Sequence, residues 1–148
     1  MVGRSCLGLL AGLGLVSCTA APPRLLVAHP SGVQVLFLSN KAYPNPPGTH
    51  AAIAAWPVDR TENALTQVIR IDGEETLHRH ENHDLVVFLV EGRGIMRLGG
   101  ETFPLQAGDA VLIRRGTPHA FRNESRRGSL ALAVSVPPAS PADRVEEP

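Results

Sequence analysis

The chain has 148 residues and a mass of 15.8 kDa, with 43% apolar residues and 14 acidic against 14 basic side chains, which excludes a two-domain enzyme. A formal charge of zero and an aromatic complement of four Phe, one Trp and one Tyr supply neither the basic surface nor the stacking platforms that nucleic-acid binding needs, so no nucleic acid is expected as a partner. Thirteen Pro and 14 Gly break the chain at short intervals, which disfavours long helices and suits many short strands joined by turns.

Arg4 is the only charge before Arg24, and between them runs an apolar stretch from Cys6 to Val16, ending at the small residue Ser17 and at Cys18. This pattern is a secretory signal: the stretch is well short of the roughly 20 residues a spanning helix needs, and Gly8, Gly12 and Gly14 interrupt it. Leu15-Val16-Ser17-Cys18 is similar to the lipobox of bacterial lipoproteins, which implies cleavage before Cys18 and acylation of its thiol. The expected location is then the membrane surface facing the periplasm, and Thr19 in place of Asp leans toward the outer membrane. Removing residues 1–17 takes Cys6 away and leaves one cysteine, so no intrachain disulfide is available and the fold must rest on its core or on a metal.

Beyond the leader, residues 18–32 carry Pro22, Pro23 and Pro30 with little periodicity and read as a tether. Residues 33–136 read as the folded body. Strand-like runs fall at 33–38, 51–56, 65–71, 76–80, 85–90, 94–98, 101–105, 110–113, 119–123 and 130–136, with turn signals at Asp72-Gly73, Gly92-Arg93-Gly94, Gly99-Gly100, Gly108-Asp109 and Arg115-Gly116. So many short strands in so short a body predict an all-β sandwich or barrel. Residues 137–148 hold four prolines and a charged end and read as an extended tail.

His78-Arg79-His80-Glu81-Asn82-His83-Asp84 is the most informative stretch. Alternation along a strand puts His78 and His80 on one side, about 7 Å apart along the backbone, so that both imidazoles can reach one ion. His83 is an odd number of residues from His80, which points it to the surface or behind the ligands rather than at the ion. Further ligands must come from other strands, and Gly116-Thr117-Pro118-His119 turns into one, with Asn123 four residues on.

These residues resemble the two motifs of the cupin superfamily, G-x5-H-x-H-x3,4-E-x6-G and G-x5-P-x-G-x2-H-x3-N. Gly108, Gly116, His119 and Asn123 fit the second, with Arg114 where the family has Pro. In the first, Gly73, His78, His80 and Gly92 are present, four residues instead of five separate Gly73 from His78, and the glutamate is absent. Counting from His80 puts Asp84 at the carboxylate position; counting back from Gly92 puts Leu85 there. The run from Leu85 to Val90 is apolar on both faces, so alternation does not choose between them.

The resemblance covers residues 65–136 and implies a double-stranded β-helix, or jelly-roll, barrel with a divalent metal among His78, His80 and His119 and with Asp84 as a direct, water-bridged or orienting carboxylate. Imidazole ligands suit Fe, Mn, Ni, Cu or Zn. Gln67, Met96 and Phe121 are candidates for the cavity wall, and Arg97, Arg114 and Arg122 for clamping an anionic substrate. The resemblance implies a small-molecule ligand, a dioxygenase-like or isomerase-like reaction, and a homodimer. The competing reading is a non-catalytic barrel that binds metal or a small ligand at the cell envelope, and no separate acid, base or nucleophile constellation decides between them.

Overall fold

The computed structural model describes residues 21–44 and 52–148; the leader and Cys18 lie outside the described residues. Strands run β1 (Arg24–His29), β2 (Gly32–Phe37), β3 (Ile53–Arg60), β4 (Leu65–Ile71), β5 (His78–His80), β6 (Asp84–Glu91), β7 (Arg93–Leu98), β8 (Glu101–Gln106), β9 (Ala110–Ile113), β10 (His119–Asn123), β11 (Ser129–Val136) and β12 (Arg144–Glu146). The one helical element among the described residues is a 3₁₀ turn at Pro141–Asp143, and none of their helices is long and apolar enough to cross a membrane. Two five-stranded antiparallel sheets form, in the orders β12-β5-β10-β7-β8 and β3-β4-β11-β6-β9, with β1 and β2 as a separate hairpin. This is the expected jelly roll, a closed pair of sheets that leaves few strand edges open.

The inner faces of the two sheets meet in one core. Ile71, Leu89, Ile113 and Ala131 from one sheet pack with Met96 and Phe121 from the other, and Met96 stands opposite Phe121 in the β7–β10 register. Along β6 the alternation that the sequence leaves open is settled by packing. Leu85, Val87 and Leu89 face inward, so Asp84, Val86 and Phe88 face outward, the latter two 43% and 41% exposed.

A second core lies behind the β3-β4-β11-β6-β9 sheet, where Val68, Val90 and Leu130 are covered by Leu25 and Leu38 and flanked by Tyr43 and Val58. Arg70, on that outer face, donates to the carbonyls of Asn40, Tyr43 and Arg127, and so ties the N-terminal segment to the barrel. The stretch read as a tether therefore differs in the structure. Although prolines bound it, its residues from Arg24 on pair with β2 over six registers and bury Leu25, because an apolar strand face gains more from covering the sheet than from solvent.

The tail read as extended also folds. β12 pairs with β5 on the edge of the first sheet, opposing Arg144 to His80, Val145 to Arg79 and Glu146 to His78. The preceding turn is held by Ser140, whose side chain accepts from the Ala142 N–H, and Asp143 enters the interior with 4% exposure.

Candidate metal centre and cavity

Antiparallel register assembles the histidines. His78 on β5 stands directly opposite His119 on β10, and His80 follows two residues along the same face. The approach to β10 is a tight turn: Gly116 adopts φ +78, its N–H donates to the His80 carbonyl at 2.6 Å, and the Thr117 N–H donates to the Arg114 carbonyl at 3.1 Å. The ring centroids lie 4.3 Å apart for His78 and His119, 5.0 Å for His78 and His80, and 5.2 Å for His80 and His119. One ring nitrogen from each falls within 4.8 Å of the others, a spacing that can hold a metal ion.

The ring orientations favour ligation. Nδ1 of His78 lies 2.8 Å from the Thr76 carbonyl and Nδ1 of His119 lies 2.9 Å from the Thr117 carbonyl, so each Nδ1 carries the proton and each Nε2 keeps its lone pair. Nδ1 of His80 is buried without a hydrogen-bond partner, an arrangement that costs about 1–3 kcal/mol unless something occupies it. Burial first, then the neighbouring imidazoles, push His80 down to about 3, and burial despite the Thr117 hydrogen bond pushes His119 down to about 4; His78 is lowered by burial as well. Neutral, converging imidazoles with an orphaned nitrogen fit a divalent transition metal.

These shifts set a pH dependence for the metal-free protein. An imidazole whose folded-state value lies below the ordinary 6.5 takes up its proton more readily when unfolded. The stability these imidazoles contribute is therefore complete above about 6.5 and is lost as pH falls through about 4 for His119 and about 3 for His80. A midpoint Tm measured in chelator that declines over this window, and declines less in a His119→Ala chain, is the expected result; a flat wild-type profile contradicts it.

Asp84 does not join the cluster. Its Oδ1 accepts from the Arg115 N–H at 3.0 Å and its Oδ2 from Arg114 at 2.7 Å, and these contacts, the backbone bond foremost, lower it to about 2. The expectation of a carboxylate ligand at Asp84 is corrected by the parity of β6: Leu85 takes the inward position. Arg122 pairs with Glu124, and none of Arg97, Arg114 and Arg122 reaches the cavity wall. Asn123 bonds Ser125 and the Ser129 hydroxyl and so braces the β10–β11 connection.

His83, expected at the surface or behind the ligands, is 2% exposed and lines the cavity. Its ring lies 4.2 Å from that of His80, and its Nδ1 bonds Asp143 Oδ2. Asp143 Oδ1 accepts from the Glu81 N–H at 3.1 Å, the Asn82 N–H at 2.8 Å and the Asn82 side chain at 2.6 Å. Burial works to raise Asp143, but the His83 and Asn82 hydrogen bonds outweigh it and hold the carboxyl below its ordinary value. His80, His83 and Asp143 also fall within 4.8 Å of one another, yet both carboxylate oxygens are already engaged, so this group positions His83.

The histidines sit at one end of a cavity of about 230 Å³ whose wall is largely aliphatic. Ala55, Ala131 and Ala133 leave the space that larger side chains would fill, and Gln67, Met96 and Phe121 are among the residues that line it. Glu75, Asp143 and Arg144 have no counterpart in the sequence reading. Glu75 lines the cavity, accepts from the Phe121 N–H at 2.8 Å, and is raised chiefly by burial. Arg144 Nη1 lies 3.3 Å from His78 Nε2. A faint signal for β12 exists in Arg144-Val145-Glu146, where charged residues alternate with an apolar one.

Comparison with known proteins agrees with this architecture. The Cupin domain family matches residues 66–136, which include His78, His80 and His119. An uncharacterized protein of Methanocaldococcus jannaschii is 32% identical over 76 residues, covering 51% of this chain and 61% of the relative. Human 3-hydroxyanthranilate 3,4-dioxygenase is 32% identical over 74 residues, covering 50% of this chain and 25% of the enzyme. The chain thus spans about three fifths of the first relative and a quarter of the second. The crystal structure of TT1209 from Thermus thermophilus superposes with a TM-score of 0.56 at 32% identity, over 62% of this chain and 89% of that one. The double-sheet barrel, its histidine-bearing face and these matches place the chain in the cupin superfamily.

Proposed function

We propose that the protein is an exported, lipid-anchored barrel that holds Fe, Mn, Ni, Cu or Zn on His78, His80 and His119 and binds or transforms a small organic molecule beside it. The observation that carries this reading is the convergence of three neutral imidazoles on the end of an open apolar cavity of about 230 Å³. Export and attachment through Cys18 are supported by the leader sequence. Similarity to a dioxygenase supports the dioxygenase-like form of this chemistry over the isomerase-like one.

A bound ion with three protein ligands would act as a Lewis acid or oxygen activator with positions left for substrate. The remaining work falls to the chain. Thr76 and Thr117 carbonyls hold two imidazoles in the ligating tautomer, Asp143 holds His83 against His80, and the aliphatic wall excludes water and strengthens every charge interaction at that end.

Elemental analysis of the full chain purified from metal-replete medium tests the reading. One equivalent of a transition metal is expected, and Asp84→Ala is expected to retain it, since that carboxylate serves Arg114 and Arg115. A chain that stays empty when challenged with each ion overturns the metal-centred function.

A further inference from the structure

The polar end of the cavity contains a cation that the family match does not reach. Arg144 lies on β12, beyond the matched residues 66–136, and β12 is the edge strand beside β5. Residues directly opposite across a strand pair project to the same side, so pairing Arg144 with His80 and Glu146 with His78 brings the Arg144 side chain to the histidine face. Arg144 is the only Arg or Lys that lines the cavity among the described residues, and its side chain remains 34% exposed. Its Nε donates to Glu146 at 2.8 Å, leaving Nη1 on His78 Nε2 at 3.3 Å and Nη2 on the Thr76 carbonyl at 3.5 Å.

Both terminal nitrogens therefore have weak, long contacts, and Arg144 lines the same cavity as the imidazoles and the aliphatic side chains. A guanidinium so placed is a receptor for a planar anion. Glu146 is paired with its Nε and Glu75 acts on it electrostatically, which disfavours a dianion such as a phosphate monoester and suits a single negative charge. From this we infer that the site takes a small monocarboxylate with an apolar body, the carboxylate meeting Arg144 and the body filling the space beside Ala131, Ala133, Met96 and Phe121. This inference deepens the function proposed above and rests on it. His78 Nε2 is the present acceptor of Arg144 Nη1 and also a metal-facing atom, so an ion taken up there frees the guanidinium for the carboxylate, and the two ligands favour each other.

Calorimetric titration of the full chain with benzoate and hexanoate, against benzamide and hexanamide, tests this in chelator and again with zinc. Wild-type protein is expected to prefer each carboxylate over its amide by about tenfold, as one charge-assisted contact supplies. Arg144→Gln is expected to erase that preference, and Arg144→Lys to keep part of it. Equal binding of acid and amide by the wild type, or a preference that survives Arg144→Gln, overturns the inference. Zinc content measured on the same samples separates the two readings. Protein that takes up zinc yet ignores the carboxylate fails this inference alone, whereas protein that takes up no zinc yet reads the carboxylate through Arg144 fails the metal reading.

Discussion

His119→Ala is expected to lose stoichiometric metal, with affinity down by more than about a hundredfold, because orienting groups alone are worth 10–100-fold and this change removes a donor itself. The geometry explains why no neighbour can replace it. His119 supplies the only one of the three nitrogens that comes from β10, while His78 and His80 share β5 and meet the ion from one side. Asp84 faces outward with Arg114, and Asp143 has both oxygens committed. His83 is close to His80 but belongs to a separate group with Asp143. His83→Ala is therefore expected to weaken metal binding by no more than about the orienting range, roughly 10–100-fold. Competition against a chromophoric chelator measures both variants, with circular dichroism confirming the fold. Unchanged affinity in His119→Ala would remove β10 from the centre and the three-histidine site with it.

What the sequence reveals and what it hides follows from the range of each interaction. The ten runs assigned from alternation and turn residues all appear as strands, because a period of two and a glycine at a reversal are local properties. The pairing of His78 and His80 on one face is equally local. β1 escapes because its apolar residues occur between prolines without clear alternation, and the reason it folds, burial of Leu25 behind Val68 and Leu130, lies in strands far along the chain. The orientation of Asp84 is hidden because β6 is covered on its inner face by the barrel core and partly on its outer face by the second core, so both parities read as apolar. Arg144 and Asp143 are hidden most completely. Their histidine partners, His83 and His78, are 60 and 66 residues away, and nothing in a short proline-flanked tail marks it as the edge strand of a sheet.

That tail predicts the other large effect: Asp143→Ala is expected to cost about 3 kcal/mol or more. One carboxylate satisfies the Glu81 N–H, the Asn82 N–H, the Asn82 side chain and His83 Nδ1, and it does so where His83 is 2% and Asp143 4% exposed. Alanine leaves His83 Nδ1 buried and unpaired, at about 1–3 kcal/mol when water cannot reach it, and takes an acceptor from the part-buried Glu81 and Asn82 donors; breaking a buried pair by removing one partner typically costs about 3–5 kcal/mol. For a chain of this size the loss corresponds to roughly 6–12 °C of Tm. Asp143→Asn keeps an acceptor oxygen and is expected to fall between the wild type and alanine. The carboxyl titrates below its ordinary 3.8 in the folded chain, so its contribution is present above that pH and disappears as pH falls through the folded value. The gap in Tm between wild type and Asp143→Ala should accordingly be wide at neutral pH and narrow in strong acid. If instead the gap is absent at neutral pH, residues 141–146 are a loosely attached tail, and both the seating of His83 and the placement of Arg144 lose their support.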